Sequence, residues 1–449
     1  MTARDLALRT LNRLDLGQDF PEPYLDRAFK GDPNLSERDR AFTVHLVQGT
    51  FRWRLRLDWI IGKAVNFPFK NIEPPVLNIL RIALFQILFM DRVPESAAVN
   101  EAVRQAVDMG RRHVAGFVNG ILRNICRRKD GYDFPDRDNN PVSYLSIFYS
   151  YPPWLVKKWI REMGMDSAEH LLEAGNRIPG LVIRCNRLKI DRQGLITRLK
   201  EEGVTGKATP HAPEGLRISG IKGPVSNLKA FKEGLFQVQD EAAQVCSHLF
   251  SPGPGERVLD LCAGLGGKST HIAQLTGDSK LVVALDISHN RLIRLNDGSS
   301  RLGIGCIHPV VADARERLSY LFRCSFDTIL IDGPCSGLGT ISRHPDGKWT
   351  KTEGHINRLP QLQKSLLNQA VPLLRKGGRM LYVTCTISRQ ENEDVVSSFM
   401  AENKGIDLEN LKEHVPDWGL DLIDDHGFLK TLPHVHGMDG FFGALFTKE

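Results

Sequence analysis

From Phe236 onward the chain alternates short apolar runs with amphipathic stretches, and no other feature narrows its possible folds as much. The apolar runs predict strands over 257–262, 281–286, 306–311, 326–332 and 379–385. A 3.6-residue period between and after them predicts helices near 268–275, 288–302, 360–374 and 392–402. Strands that read as unbroken apolar runs are buried on both faces. An α/β region is therefore expected, with a parallel sheet covered by helices on each side. Residues 422–429 and 440–447 are expected to add terminal, antiparallel strands.

Upstream the texture differs. Helical periods cover 3–16, 37–51, 55–65, 75–90, 96–109 and 113–127, with Ser36 and Ser96 as expected N-caps. The most apolar run, 77–90, is interrupted by Arg81 and Gln86 and is too short to span a bilayer, so it reads as a buried helix. Residues 131–140 are rich in Asp, Pro, Gly and Asn and read as a linker. Helices near 153–161 and 167–174, a strand at 181–185 and a helix at 192–202 follow. The expected fold is therefore multidomain: an all-α domain over 1–135, a small α+β linker domain over 141–235, and an α/β, Rossmann-like domain over 236–449. A chain of 449 residues is long enough for roughly three such cores.

The net charge of +6 permits an anionic partner without demanding one. Basic residues cluster at Arg52, Arg54 and Arg56, at Arg111, Arg112 and His113, and at Arg123, Arg127, Arg128 and Lys129. More are spread through the small module (Lys157, Lys158, Arg161, Arg184, Arg187, Lys189). Each cluster is either a solvated face or a phosphate-binding surface, and the downstream chemistry favours the second. The eight cysteines include no C-x-x-C pair, so no metal site is expected, and their usage fits a reduced, cytoplasmic setting. The N-terminus carries no apolar signal core and no membrane association is expected.

Two cysteines fall just past predicted strand ends, in Asp332-Gly-Pro-Cys-Ser-Gly337 and Thr384-Cys-Thr-Ile-Ser388. Ligands and chemistry gather at the carboxyl ends of strands in open α/β sheets. Cys335 and Cys385, with Asp332 beside them, point to covalent attack by one thiol and assistance by the other. A second constellation is Val258-Leu-Asp-Leu-Cys-Ala-Gly-Leu-Gly-Gly-Lys268, a strand running into a glycine-rich turn and a helix. It lacks the G-x-G-x-x-G spacing of dinucleotide enzymes. The next strands end at Asp286, suited to two ribose hydroxyls, and Asp313, suited to an adenine amino group. Carboxylates at three successive strand ends (Asp286, Asp313, Asp332) describe a nucleoside-shaped site.

At these residues the chain resembles the RNA cytosine-carbon-5 methyltransferases. Asp260-Leu-Cys-Ala-Gly-Leu-Gly-Gly-Lys-Ser269 resembles their cofactor loop, D-x-C-A-A-P-G-G-K-T. Asp332-Gly-Pro-Cys-Ser-Gly337 resembles D-A-P-C-S-G, and Thr384-Cys-Thr with Glu391-Asn-Glu393 resembles T-C-S…E-N-E. Arg343-His-Pro-Asp346 with Trp349, Asp439-Gly-Phe-Phe442 and Phe236-Gln-Val-Gln-Asp-Glu-Ala242 also match. Arg38-Asp-Arg-Ala-Phe42 and Gly116-Phe-Val-Asn-Gly-Ile-Leu-Arg123 resemble the NusB fold, and the combination resembles the bacterial RsmB (Sun/Fmu) branch. Two departures are Gly264-Leu265 in place of Ala-Pro and Gly333 in place of Ala.

The resemblance implies an S-adenosylmethionine-dependent methyltransferase acting on a cytosine of 16S ribosomal RNA; nothing in the chain demands an oligomer, so a monomer is expected. It implies cofactor contacts by Cys262, Ala263, Gly264, Leu265, Gly266, Gly267, Lys268, Asp286, Asp313 and Asp332. Cys385 would attack carbon 6, Asp332 would hold the base and help protonate it, and Cys335 would assist release. Lys268 would either lower a thiolate pKa or steady the loop. Three competing readings are the same chemistry on transfer RNA, a non-catalytic RNA-binding assembly factor, and a dehydrogenase.

Overall fold

The computed structural model describes every residue except 1, 18–20, 33, 111, 129, 130, 251, 254, 280 and 323. Arg111 and Lys129, two members of the basic clusters, lie outside the described residues. The chain forms two compact units. One comprises Met1–Arg177 with Arg343–Thr350, the other Ile178–Ser342 with Lys351–Glu449.

The first unit is helical: Ala3–Asp15, Pro21–Gly31, Glu37–Ala64, Pro74–Phe89, Glu95–Asp108 and Arg112–Arg127, then Pro141–Phe148, Pro153–Met163 and Met165–Asn176. Thr2 and Asp5 close a capping box on the first helix, and the Ser36 hydroxyl accepts the Asp39 N–H at 3.1 Å as expected of an N-cap. Ser96 is not a cap, because the helix starts at Glu95 behind Pro94. The two helices expected over 37–65 are one, since nothing between them breaks a helix. Gly49 on that helix is a packing site: a Cβ there would lie 2.0 Å from the Phe85 ring. Pro74–Phe89 is buried nearly all round, and its Arg81 guanidinium bonds both carboxylate oxygens of Asp58 at 2.7 and 2.8 Å.

Arg52, Arg54 and Arg56 do not form a phosphate-binding face. Arg52 is 4% exposed, Arg54 pairs with Asp15 at 3.2 Å, and Arg56 lies 4.5 Å from the Phe148 ring and 5.1 Å from Phe134. Arg112, His113, Arg123, Arg127 and Arg128 are exposed, and positions 112, 116, 123 and 127 share one helix face. Residues Arg343–Thr350 pack into this unit through a fully buried Lys348. Its ammonium donates to Arg52 O, Ser150 O and Asn176 Oδ1 at 3.0, 3.2 and 2.6 Å and sits 3.6 Å from the Tyr151 ring centre. Ser150 is held at φ 59°, and its hydroxyl accepts the Leu55 N–H at 2.9 Å.

The second unit contains two sheets. β1 (Leu181–Cys185), β2 (Thr205–Ala208), β3 (Gly215–Ser219) and β4 (Phe236–Val238) form an antiparallel sheet in the order β2-β3-β1-β4. β5 (Val258–Asp260), β6 (Val282–Asp286), β7 (Ile307–Val311), β8 (Phe326–Asp332), β9 (Leu374–Thr384), β10 (Ile406–Glu409) and β12 (Phe442–Lys448) are ordered β10-β12-β9-β8-β5-β6-β7, with β11 (Leu429–Lys430) on β12. The five strands expected to be parallel pair in parallel, and β12 returns antiparallel to β9. The strand order reverses at β5, flanked by β6 and β8, which is where open α/β sheets bind ligands. The strand expected over 422–429 shrinks to β11, because the Asp424 carboxylate accepts the N–H groups of His426 and Phe428 and folds that stretch into a turn. Arg184 here is wholly buried, donating to Gln274, Gly267 O and Thr270 as well as Gln239, and in the first unit Lys158 pairs with Glu162 at 2.8 Å. Neither offers a phosphate contact. Among the described residues no helix is long and apolar enough to cross a membrane.

Candidate active site

The glycine turn after β5 is shaped by two left-handed residues, Gly264 at φ 56° and Gly266 at φ 77°. At Gly266 a Cβ would lie 2.5 Å from Leu295 Cγ, so only glycine allows the turn to close on helix Gly267–Leu275. At Gly264 a Cβ would meet open space, and the residue's N–H donates to Asp286 Oδ2 at 3.0 Å. The other Asp286 oxygen accepts the Ser288 N–H at 2.7 Å. Each carboxylate oxygen keeps a lone pair for a ribose hydroxyl.

A cleft of about 340 Å³ opens beside this turn, lined by Cys262, Gly264, Asp286, Asp313 and Asp332 together with apolar side chains such as Leu362. Its volume suits a nucleoside-sized ligand. The three strand-end carboxylates thus meet in one cavity, and the donor set fits the adenosine part of the expected cofactor. Ala263, Leu265, Gly266, Gly267 and Lys268 are not in its lining. Asp313 reaches the cleft with both oxygens already accepting Arg315 Nε at 2.9 Å, and this hydrogen bonding holds its pKa below the usual carboxylate value. Burial raises the Cys262 thiol far above its ordinary value, which leaves it an inert wall of the cleft.

Lys268 turns from the turn toward the β8 end, where its ammonium meets Asp332 Oδ2 at 2.5 Å and lies 5.1 Å from the Phe441 ring centre. Burial disfavours that charge, but Asp332 together with Cys246 and Cys385 offsets it and the lysine pKa rises. Asp260, fully buried, is pushed up to about 7 by burial, although its hydrogen bond from Ser269 at 2.6 Å opposes the shift.

The two cysteines come together at the ends of adjacent strands: Cys335 Sγ and Cys385 Sγ are 3.3 Å apart. The hydrogen bond with Cys385, and then burial, drives the Cys335 thiol well above its ordinary pKa. Either thiol can donate across this pair, and the raised pKa keeps Cys335 protonated near neutral pH.

A clamp that sequence reasoning missed fixes this geometry. The fully buried Glu391 carboxylate accepts the Ser336 N–H at 2.8 Å, the Ser336 hydroxyl at 2.5 Å and Gln363 Nε2 at 3.3 Å. Asn392 accepts the Thr384 hydroxyl at 2.6 Å and donates to Thr386 O at 2.9 Å. One dipeptide thus ties the residue after Cys335 to those on both sides of Cys385. The family motif containing Glu391 and Asn392 was the signal available, but its role depends on contacts some fifty residues away in sequence. Gly333 is not strained, and a Cβ there would rest 3.5 Å from Tyr382 Cε2.

Residues 247–447 match the family described as 16S rRNA methyltransferase RsmB/F, residues 1–127 match the NusB family, and residues 151–225 match the RsmF/B-like ferredoxin-like domain. The probable ribosomal RNA small subunit methyltransferase B of Bacillus subtilis is 34% identical over 449 residues, covering 100% of this chain and 99% of that protein. The ribosomal RNA small subunit methyltransferase B of Proteus mirabilis is 32% identical, covering 93% and 92%. Among solved structures, the protein designated PH0851 superposes with a TM-score of 0.82 at 29% identity, covering 100% and 99%. NSun6 from Pyrococcus horikoshii with SFG gives a TM-score of 0.60 at 25% identity, covering 67% of this chain and 99% of that one.

Proposed function

The chain belongs to the RsmB/F family of 16S rRNA methyltransferases, and from that premise we propose that it methylates carbon 5 of a cytosine in small-subunit ribosomal RNA through a covalent cysteine adduct. The observation that carries this reading is the Cys335–Cys385 pair at 3.3 Å beside Asp332. Carbon 5 of cytosine is a poor nucleophile. As the Cys385 sulfur adds to carbon 6, its thiol proton passes by way of the Asp332 carboxylate to ring nitrogen 3, and electron density moves onto carbon 5. Asp332, in its ion pair with Lys268, holds the base at nitrogen 3 and the exocyclic amine while that proton is taken up. Lys268 therefore acts through Asp332, as a positioning residue. S-adenosylmethionine, bound in the cleft between Asp286 and Asp332, supplies the electrophilic methyl group that carbon 5 takes up.

Once Cys385 is tied up as a thioether, the hydrogen bond that keeps the proton on Cys335 weakens. Cys335 then gives its proton to solvent and, as thiolate, takes the carbon-5 proton; the carbon 5–carbon 6 double bond re-forms as Cys385 leaves and recovers the nitrogen-3 proton through Asp332. The target cytosine must be unstacked to admit attack on its ring. The exposed basic face of helix Arg112–Arg127 supports phosphate binding, with an affinity that falls as salt rises. We place this activity in the cytoplasm, where small-subunit RNA is matured.

The test is methyl transfer from labelled S-adenosylmethionine to protein-free small-subunit RNA, with the product base identified by mass spectrometry. A single 5-methylcytosine is expected, absent with Cys385→Ala. Methylation at another atom, or undiminished turnover by Cys385→Ala, overturns the reading.

A further inference from the structure

We propose that Glu214, His248 and His271 form a binding site for a divalent transition-metal ion, zinc by ligand type, that clips the small antiparallel sheet to the helix following the cofactor turn. The three residues are far apart in sequence. Glu214 immediately precedes β3, His248 is on helix Glu241–Phe250, and His271 is on helix Gly267–Leu275. Their ligand atoms nevertheless lie within 4.8 Å of one another. Glu214 Oε2 is 2.6 Å from His248 Nε2 and 3.7 Å from His271 Nε2. Tetrahedral zinc with ligands at ~2.0–2.2 Å keeps neighbouring ligand atoms about 3.3 Å apart. The first distance must open and the second close, each by less than about 1 Å.

The residue that calls for a ligand is His271. Its side chain is 0% exposed, and neither ring nitrogen has a hydrogen-bond partner among the described residues. Buried polar atoms without partners are rare and costly. A neutral imidazole nitrogen offers its lone pair to a metal. Glu214 supplies the negative charge; its Oε1 accepts Arg187 Nη1 at 3.3 Å, and its Oε2 shares a proton with His248 Nε2 at 2.6 Å, which the ion would displace. The His248 ring is steadied edge-on by Trp418, centroids 5.4 Å apart. The Glu214 and His248 side chains are 10% and 14% exposed, which gives an ion a path in and a water the fourth coordination position. The Arg184 guanidinium lowers the His271 pKa electrostatically, and the same field opposes a cation. Binding weaker than at closed thiolate sites is therefore expected.

No short-range spacing announces such a site, and the expectation of a metal-free chain rested only on the missing C-x-x-C pair. His271 lies one helical turn from Lys268, the residue that meets Asp332. Loading the site therefore stiffens the helix that carries the cofactor turn.

The experiment uses the full chain, stripped with chelator and incubated with zinc chloride. Bound zinc is measured by elemental mass spectrometry after gel filtration, and the thermal midpoint is followed against free zinc. Wild type is expected to retain about one zinc per chain and to gain several degrees as zinc rises. His271→Asn and, independently, the more exposed His248→Gln are expected to lose both effects while their metal-free circular dichroism stays native. Cobalt in place of zinc is expected to give visible ligand-field bands without a thiolate charge-transfer band. No retained zinc in the wild type, full retention by both variants, or a thiolate band that assigns the metal to cysteines overturns the proposal.

Discussion

Replacing Glu391 with alanine isolates the clamp from the chemistry. Glu391 touches neither thiol through its side-chain hydrogen bonds, yet it holds Ser336, one residue beyond Cys335. In Glu391→Ala the hydroxyls of Ser336 and Thr386 still satisfy each other at 2.8 Å, whereas the Ser336 N–H loses its acceptor in a buried setting. Gln363 Nε2 keeps Pro334 O at 3.0 Å and loses its second acceptor. One orphaned backbone donor costs about 1–3 kcal/mol, and the lost charge-assisted bonds add a similar amount, for a total of about 2–6 kcal/mol. Glu391→Gln keeps one carbonyl oxygen for the Ser336 N–H while the two hydroxyls rotate to accept from the amide, so about 1–2 kcal/mol is expected. Urea denaturation measures both. The same loosening moves the Cys335 loop relative to Cys385, and misplacement of about 1 Å costs on the order of 100-fold in rate. Single-turnover methyl transfer is therefore expected to fall about 100-fold in Glu391→Ala and much less in Glu391→Gln. An alanine variant within about 0.5 kcal/mol of wild type and within about twofold in rate refutes the clamp.

Three further outcomes are expected. Gly333→Ala fits against Tyr382 at 3.5 Å and reduces unfolded-chain freedom, so it should stabilise by about 0.4–1 kcal/mol in urea melts with activity retained. Lys348→Met strips the donor from three buried oxygens and should cost about 2–5 kcal/mol by the same assay. Arg112→Glu with Arg127→Glu should lower RNA affinity and flatten its salt dependence by about two units of slope in filter-binding measurements. Arg56→Ala, caged by Phe148 and Phe134, should leave that slope unchanged while lowering the thermal midpoint.

The parallel strands were legible because burial on both faces leaves unbroken apolar runs such as Val282–Asp286, every residue of which is buried. β2 and β3 escaped notice because Thr205–Ala208 is largely exposed and its partner begins with a glycine beside Thr209. Cys335, Cys385 and Asp332 were legible as a set because each sits within a residue or a few of a strand end. Basic clusters misled at Arg52, Arg54 and Arg56, where charge count carries no information about aromatic neighbours or a carboxylate partner such as Asp15. Glu391 and Asn392 were visible as a motif but their clamping role was not, because it depends on tertiary closure; the Glu214, His248 and His271 group depends on the same closure and produces no local spacing.

The covalent step is tested most directly by incubating Cys335→Ala with small-subunit RNA and S-adenosylmethionine and resolving the mixture under denaturing conditions. An RNA-linked protein band that accumulates with Cys335→Ala and disappears in Cys335→Ala/Cys385→Ala is the predicted result. A band that survives in the double variant, or none with Cys335→Ala while 5-methylcytosine still forms at the wild-type rate, contradicts attack by Cys385 and release through Cys335.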